Sequence, residues 1–322
     1  MPTPANDAMA ERWLLADVGG TNTRLGLAEA GVLIEDSQRT LPNARFGGLE
    51  SLLSHYLDDW KDAKVTRVCA GVAGPVRSGR AKLTNHDWII DCAELAKATG
   101  AAHVRLINDI QAQGYALDDL HPGQVMVLFE GAVPPAEAAR LVMGIGTGSN
   151  VAVVHGTDSG LFVPPAESGH ASLPFATGEL GALIDHLGTV QHHRPIESAL
   201  SGQGLQNIWR WLGGGPESAD RIVTLAHAGE PRAVRVLALF SRLLGHVTGD
   251  LALAHLPMGG LFLFGGVARA VAPFLEGSGF HSAFIAKGPY NAILQEIPIG
   301  LICDDSAALR GCARLLCQKA AS

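Results

Sequence analysis

The sequence predicts an α/β protein whose two halves share one architecture. An apolar run at residues 13–18 is followed by the glycine-containing polar residues 19–22, and apolar residues at alternate positions resume over 23–28. This pattern indicates two strands joined by a glycine turn. Residues 141–154 repeat the order, with an apolar run, the letters GTGS and a second apolar run. One such pattern near the start of each half favours a duplicated architecture.

The rest of the chain alternates strand and helix patterns, as α/β proteins do. Strand patterns occupy residues 32–34, 65–73, 104–107 and 261–264, and helical patterns occupy about 46–60, 91–100, 203–213, 232–255 and 306–318. The helix that begins at Asp91 is expected to end near Gly100. The helix after residue 107 is expected to begin directly at the end of its strand.

Composition excludes several classes of protein. The chain has 322 residues, of which 47% are hydrophobic, with 24 Lys and Arg against 31 Asp and Glu. It contains no basic run, which argues against nucleic acid as a partner. Asp250, His255 and Pro257 interrupt the most apolar region, so no membrane span is predicted. The N-terminal residues lack an apolar signal segment, and the five cysteines have neither metal-binding nor disulfide spacing. We therefore expect a cytoplasmic protein.

Both glycine turns have the composition of phosphate-binding loops. In residues 19–22, two glycines allow backbone N–H groups to approach an anion, and Thr and Asn add donors. In residues 144–149, glycine at alternate positions is unfavourable in a strand unless the backbone lies against a ligand. Either turn alone is also an ordinary hairpin turn, but two of them favour phosphate binding. Neither is a Walker loop or a G-x-G-x-x-G that opens a helix.

Two aspartates are candidates for the chemistry. Asp17 interrupts an otherwise apolar strand and is placed to hold Mg²⁺ through water. Asn108 and Asp109 follow the strand 104–107, and ligands of open α/β sheets bind at the carboxyl ends of strands. Asp109 is either the N-cap of the next helix, which is the commoner use, or a base that takes a proton from a sugar hydroxyl. Its position in the sequence leaves both open.

Further polar and glycine-rich segments complete the candidate site. Glu167, His170 and Glu197 would each be solvated surface if taken singly. Together with residues 108–109 they suit a hexose, whose hydroxyls need several buried partners. Glycine pairs flank the strand 261–264, where an adenine ring could lie against backbone, although a tight strand–helix turn explains them equally well.

Taken in order, seven segments resemble the bacterial glucokinase family of the sugar kinase, Hsp70 and actin superfamily. They read DVGGTNTRLGLA, AGPV, LINDIQAQGYAL, GIGTGSNVAV, PAESGHASLP, IESALSGQGL and LFGGVA. The resemblance implies a duplicated ribonuclease-H-like, actin-like ATPase fold of two domains with an inter-domain cleft. The small domain would comprise 1–118 and 306–322, and the large domain 119–305. It also implies a homodimer that phosphorylates the 6-hydroxyl of D-glucose, with ATP and Mg²⁺.

The resemblance also implies roles for individual residues. The base would be Asp109. The glucose contacts would be Asn108, Asp109, Glu167, His170 and Glu197. The nucleotide would be held by Asp17, Gly19, Gly20, Thr21, Asn22, Gly146, Thr147, Gly148, Gly265 and Gly266, with Asp17 holding Mg²⁺ through water.

One residue departs from the family pattern. Asn150 stands where the family more often has glycine, so the geometry of the second turn could differ. Asn tolerates positive φ better than most residues, which favours an unchanged turn.

Two other functions stay open: a kinase for another hexose or an amino sugar, and a non-catalytic sugar sensor. Retention of Asp17, Asp109 and both glycine turns argues against a sensor, which needs neither a metal-holding residue nor a base.

Overall fold

The chain forms two units. The computed structural model describes residues 11–83, 86–191 and 193–318. The first unit comprises 1–120, 158–161 and 305–322, and the second comprises 121–157 and 162–304. Parts of the predicted small domain, at 1–10 and 319–322, lie outside the described residues.

The first unit begins with alternating strands and helices. In chain order these are β1 (Glu11–Val18), β2 (Asn22–Glu29), β3 (Val32–Pro42), α1 (Leu49–Leu57), β4 (Lys64–Val72), β5 (Val76–Arg77), β6 (Arg80–Lys82), β7 (Ile89–Asp91), α2 (Cys92–Thr99), β8 (His103–Asn108) and α3 (Asp109–Ala116). As predicted, Gly100 ends the second helix in the left-handed conformation (φ 72°), which glycine adopts without steric cost.

The main sheet of this unit brings three strand ends into one row. Its order is β3-β2-β1-β4-β8. Strand β1 runs antiparallel to β2 and parallel to β4, and β4 runs parallel to β8. Val18, Val72 and Asn108 are successive partners in the register. The residues that follow β1, β4 and β8 therefore share the carboxyl edge of the sheet.

The second unit is larger. Its elements are β9 (Val125–Phe129), β10 (Arg140–Ile145), β11 (Ser149–Thr157), α4 (Gly178–Gln191), α5 (Gly202–Trp211), α6 (Ala219–His227), α7 (Pro231–His255), β13 (Leu261–Phe264), α8 (Gly266–Leu275), α9 (Phe280–Ile285), α10 (Asn291–Gln295) and β14 (Ile299–Ile302). Strand β12 (Gly160–Phe162) pairs in the same sheet as β10 and β11, although residues 160–161 are assigned to the first unit. A final helix, α11 (Ala307–Cys317), returns to the first unit.

The second sheet repeats the strand order of the first. Its order is β12-β11-β10-β13-β14-β9. The hairpin β10–β11 is antiparallel, β10 runs parallel to β13, and β13 runs parallel to β14. An antiparallel hairpin followed by two parallel strands is the arrangement of β2-β1-β4-β8. The duplication predicted from the two glycine turns is therefore present in the topology, with β9 added antiparallel to β14.

Each unit has its own hydrophobic core. The first is built around β1, β2 and β4 with helix α1, and the second around the long helix α7. A Cβ at Gly245 or Gly249 of α7 would lie 2.2 or 2.4 Å from backbone oxygens of Phe280 and Phe284, so only glycine permits the close packing of α9. Helix α7 is long and apolar enough to cross a membrane, but 67% of its apolar window is buried inside the fold.

Helix α11 packs on α3, the helix that begins with Asp109. A Cβ at Gly311 would lie 1.8 Å from the backbone oxygen of Ala112, so the two helix backbones are nearly in contact. All residues of α3 after Asp109 are buried. The start of α3 is thereby held rigidly at the carboxyl edge of the first sheet.

Candidate active site

The first glycine turn is a tight hairpin loop. Strand β1 ends at Val18 and β2 begins at Asn22, and the Gly19 N–H donates to the Asn22 carbonyl at 3.0 Å. We call Gly19, Gly20, Thr21 and Asn22 the first hairpin loop. Just before it, the Asp17 carboxylate lies 3.5 Å from the guanidinium of Arg24, its register partner on β2. Burial raises the pKa of Asp17, and the charge of Arg24 partly opposes that rise.

Asn43 supports this loop, and the sequence did not indicate it. Its side chain is fully buried. The amide donates to the Gly19 carbonyl at 2.8 Å and accepts from the Thr23 hydroxyl at 2.8 Å, while the Asn43 N–H donates to the Thr21 carbonyl at 2.9 Å. One residue at the end of β3 thus holds both sides of the loop. An Asn after a strand is usually a turn residue, so no sequence signal distinguishes this role.

Asn108 and Asp109 lie at the same sheet edge as the first hairpin loop. Asn108, only 5% exposed, is the N-cap of α3: it accepts from the Ile110 N–H at 3.0 Å, and its amide donates to the Gly74 carbonyl at 3.1 Å. The Gln111 side chain completes a capping box. Asp109 is therefore the first helical residue and not the N-cap, although its carboxylate also accepts from the Ile110 N–H at 2.8 Å.

The second glycine turn has the same relation to its own sheet. We call Gly146, Thr147 and Gly148 the second hairpin loop. It is closed by the Gly146 N–H donating to the Gly148 carbonyl at 2.9 Å, and the Gly202 N–H donates to the Gly146 carbonyl at 2.8 Å. Asn150 lies in β11 opposite Gly144 and does not have positive φ. The departure from glycine therefore leaves the hairpin regular.

The second glycine pair adjoins this loop. Gly265 has φ 105°, and a Cβ there would lie 2.5 Å from the Ile145 carbonyl oxygen. Only glycine meets both conditions. Gly266 then begins α8. Because β10 and β13 are parallel neighbours, the second hairpin loop and this glycine pair lie at one carboxyl edge, as expected for a nucleotide site in an α/β sheet.

Glu167, His170 and Glu197 form one cluster in the second unit, which we call the acidic–histidine cluster. The His170 Nδ1 lies 3.5 Å from Glu197 Oε1. A Cβ at Gly148 would lie 2.8 Å from Glu197 Oε2, so the cluster borders the second hairpin loop. Burial and the neighbouring Glu197 raise the pKa of Glu167, and His170 opposes the rise. The cluster offers a hexose several acceptors and an imidazole.

The residues that could hold Mg²⁺ are few. Within the described ranges, no three His, Cys, Asp or Glu side chains converge as a metal-binding group. Asp17 is thus a single carboxylate at the end of β1, beside the first hairpin loop. Mg²⁺ keeps several waters and is commonly held by one or two carboxylates together with substrate phosphates. Asp17 fits that kind of site. The described residues do not fit a site in which protein side chains supply all the ligands.

Comparison with known proteins identifies the family. A model of the glucokinase family matches residues 14–319. The chain belongs to the glucokinase family. A relative named glucokinase from Xanthomonas campestris pv. campestris is 34% identical over 317 residues, covering 93% of each chain. The crystal structure of a glucokinase from an Antarctic psychrotroph is 32% identical, with a TM-score of 0.83 over 95% of this chain and 98% of that one.

A more distantly similar solved structure shares the fold. A ROK family glucokinase from Streptomyces griseus, solved in complex with glucose and AMPPNP, has a TM-score of 0.64 at 20% identity, covering 94% of this chain and 98% of that one. The predicted sugar kinase and actin-like ATPase fold is therefore confirmed. The structure gathers Asp17, the first hairpin loop, Asn108 and Asp109 in the first unit. It gathers the second hairpin loop, the 265–266 pair and the acidic–histidine cluster in the second.

Proposed function

We propose that the chain transfers the terminal phosphoryl group of ATP to the 6-hydroxyl of D-glucose. One observation carries this proposal: in each unit a glycine hairpin loop ends at the carboxyl edge of parallel strands, next to other residues of the predicted site. The first loop is accompanied by residues 108–109 and the second by residues 265–266. Membership of the glucokinase family supports glucose as the acceptor.

In the reaction, Asp109 would act as the base. Its carboxylate accepts the proton of the glucose 6-hydroxyl as that oxygen bonds to the terminal phosphorus and the bond to ADP breaks. Asn108 positions Asp109 by capping α3, and the buried helix fixes the backbone that carries the carboxylate. Phosphoryl transfer has a loose transition state, so orientation and charge stabilisation supply most of the catalysis.

The two hairpin loops would bind the nucleotide. Their backbone N–H groups and the Thr21 and Thr147 hydroxyls are donors suited to phosphate oxygens, and Gly265 and Gly266 would border the adenosine. Asp17 would hold Mg²⁺ through water. When bound, Mg²⁺ neutralises charge on the phosphate oxygens.

Glucose would be recognised by Asn108, Asp109 and the acidic–histidine cluster. Each carboxylate accepts hydrogen bonds from sugar hydroxyls, and a sugar that lacks one of these hydroxyls loses the corresponding contact. The protein would act in the cytoplasm, as a homodimer.

The test is a coupled assay that measures phosphorylation of a small panel of sugars in the presence of ATP and Mg²⁺. D-Glucose should be the preferred acceptor, and Asp109→Ala should lower kcat about 10²- to 10⁴-fold, the range that a general base contributes. Turnover of a different sugar would change the proposed acceptor. Saturable sugar binding without turnover would favour a sensor. Near-normal turnover by Asp109→Ala would show that Asp109 is not the base.

A further inference from the structure

The Asn150 side chain bonds to the loop that carries Glu167, and its oxygen also accepts from the Val151 N–H of its own strand at 2.8 Å. Its amide nitrogen donates to the Ala166 carbonyl at 2.8 Å, and its amide oxygen accepts from the Ser168 N–H at 3.0 Å. These two groups belong to the peptide bonds on either side of Glu167. One side chain on β11 therefore holds both peptide planes that define the backbone of Glu167.

The same amide also reaches the carboxylate. The Asn150 Nδ2 lies 3.3 Å from Glu167 Oε2. Glu167 has φ −128° and ψ 49°, outside the helical and extended regions, so no repeating backbone hydrogen bonds define its conformation. The hydrogen bonds from Asn150 fix the Glu167 backbone in this conformation and orient its carboxylate at the same time.

A close backbone contact makes the arrangement rigid. A Cβ at Gly169 would lie 1.7 Å from the Ser149 carbonyl oxygen, so the loop lies directly against the start of β11. Ser149 and Asn150 are the first residues after the second hairpin loop. The loop that carries Glu167 and His170 is thus attached to the strand that leaves the proposed phosphate site.

We propose that Asn150 is a positioning residue for sugar recognition, which acts by holding the Glu167 carboxylate in the orientation that accepts hydrogen bonds from the sugar. This inference rests on the proposed function, since it assumes that Glu167 contacts the substrate. Asn150 itself needs no contact with the sugar.

Two substitutions separate this role from simple structural support. Asn150→Gly removes every contact of the amide and should raise KM for glucose about tenfold, with KM for ATP changed less than about twofold. Asn150→Asp keeps the acceptor oxygen but places a second carboxylate beside Glu167. Two adjacent carboxylates share a proton more readily, so KM for glucose in this variant should be high near pH 8 and should fall towards the wild-type value near pH 6.

The control is Asn291→Asp, the same change at an exposed residue of the second unit whose side-chain oxygen accepts from the Lys287 N–H. It should keep wild-type kinetics at both pH values. Wild-type turnover of glucose is measured first, and its absence would reject the proposed function. If the wild type is active and both Asn150 variants keep its KM for glucose and its pH profile, whatever their melting temperatures, the positioning role is wrong.

Discussion

Asp17 lies at the end of β1 with 23% of its side chain exposed and Arg24 as its charged neighbour. Its pKa is raised chiefly by burial, so folding favours the protonated form. A raised pKa stabilises the fold at low pH, and this stabilisation is lost as the pH rises through the folded-state pKa. Above that pKa the ionised carboxylate lacks this stabilisation, and an aspartate at this partly buried position fits a residue kept for function.

We therefore predict opposite effects of Asp17→Asn on stability and activity. The amide resembles the protonated acid, so the melting temperature at neutral pH should rise, and the difference from wild type should narrow as the pH falls. The Mg²⁺ concentration that supports half-maximal turnover should rise about 10- to 100-fold, as for other residues that act on a metal through an intervening ligand. A lower melting temperature at neutral pH would contradict the argument from burial.

Glu167 gives a second prediction at this scale, on pH dependence. Because its pKa is raised by burial and by Glu197, the ionised acceptor should be lost at a higher pH than for an ordinary Glu. We expect kcat/KM for glucose to decline on the acid side through that raised pKa. Glu167→Gln should lower kcat/KM for glucose and abolish its decline at acid pH. If the decline is unchanged in this variant, another group is responsible for it.

Asn43 shows how a buried amide can define a loop. Asn43→Ala leaves the Thr23 hydroxyl and the Gly19 carbonyl without their partner. We expect the free energy of unfolding to fall by about 1–3 kcal/mol and KM for ATP to rise, with KM for glucose affected less. Thermal unfolding and steady-state kinetics measure these effects. Asn291→Ala, at an exposed position, is the control.

At the scale of elements, the position of the base depends on two helices. The sequence predicted that α3 follows β8 without a loop, and it predicted α11 at the end of the chain. The family resemblance placed 306–322 in the same domain as 1–118, but nothing in the sequence indicated that α11 packs on α3, because contacts between segments about 200 residues apart leave no local pattern. The 1.8 Å approach at Gly311 is the observation that couples them.

Gly311→Ala should therefore displace α3 and disturb Asp109. The added methyl group cannot fit against the Ala112 carbonyl, and overpacking of this kind costs about 1–3 kcal/mol. We expect a lower melting temperature and a lower kcat, with little change in KM for ATP. Gly47→Ala is the matched control, since a Cβ there meets nothing within 4 Å. If Gly311→Ala keeps the wild-type kcat, the packing of α11 on α3 does not determine the position of Asp109.

At the scale of the whole molecule, each of the two units has its own core, and binding of the proposed substrate should change the stability of the folded chain. A ligand that binds only the folded protein stabilises it by about 2.7 kcal/mol at a hundredfold excess over its Kd. D-Glucose should therefore raise the melting temperature by several degrees, and L-glucose should not. Equal shifts with both sugars would point to non-specific effects.

The sequence by itself determined the hairpins, most of the strands and the order of the candidate residues, because these depend on local periodicity and on glycine and aspartate at strand ends. It identified the family through the same local segments. Only the tertiary structure decided which residues hold those segments in place. Asn43, Asn150 and Gly311 act on distant parts of the chain, through buried hydrogen bonds and close backbone packing. Asn150 stood out in the sequence as a departure from the family pattern, but the contacts of all three residues exist only once the chain has folded, so no pattern along the sequence indicated them.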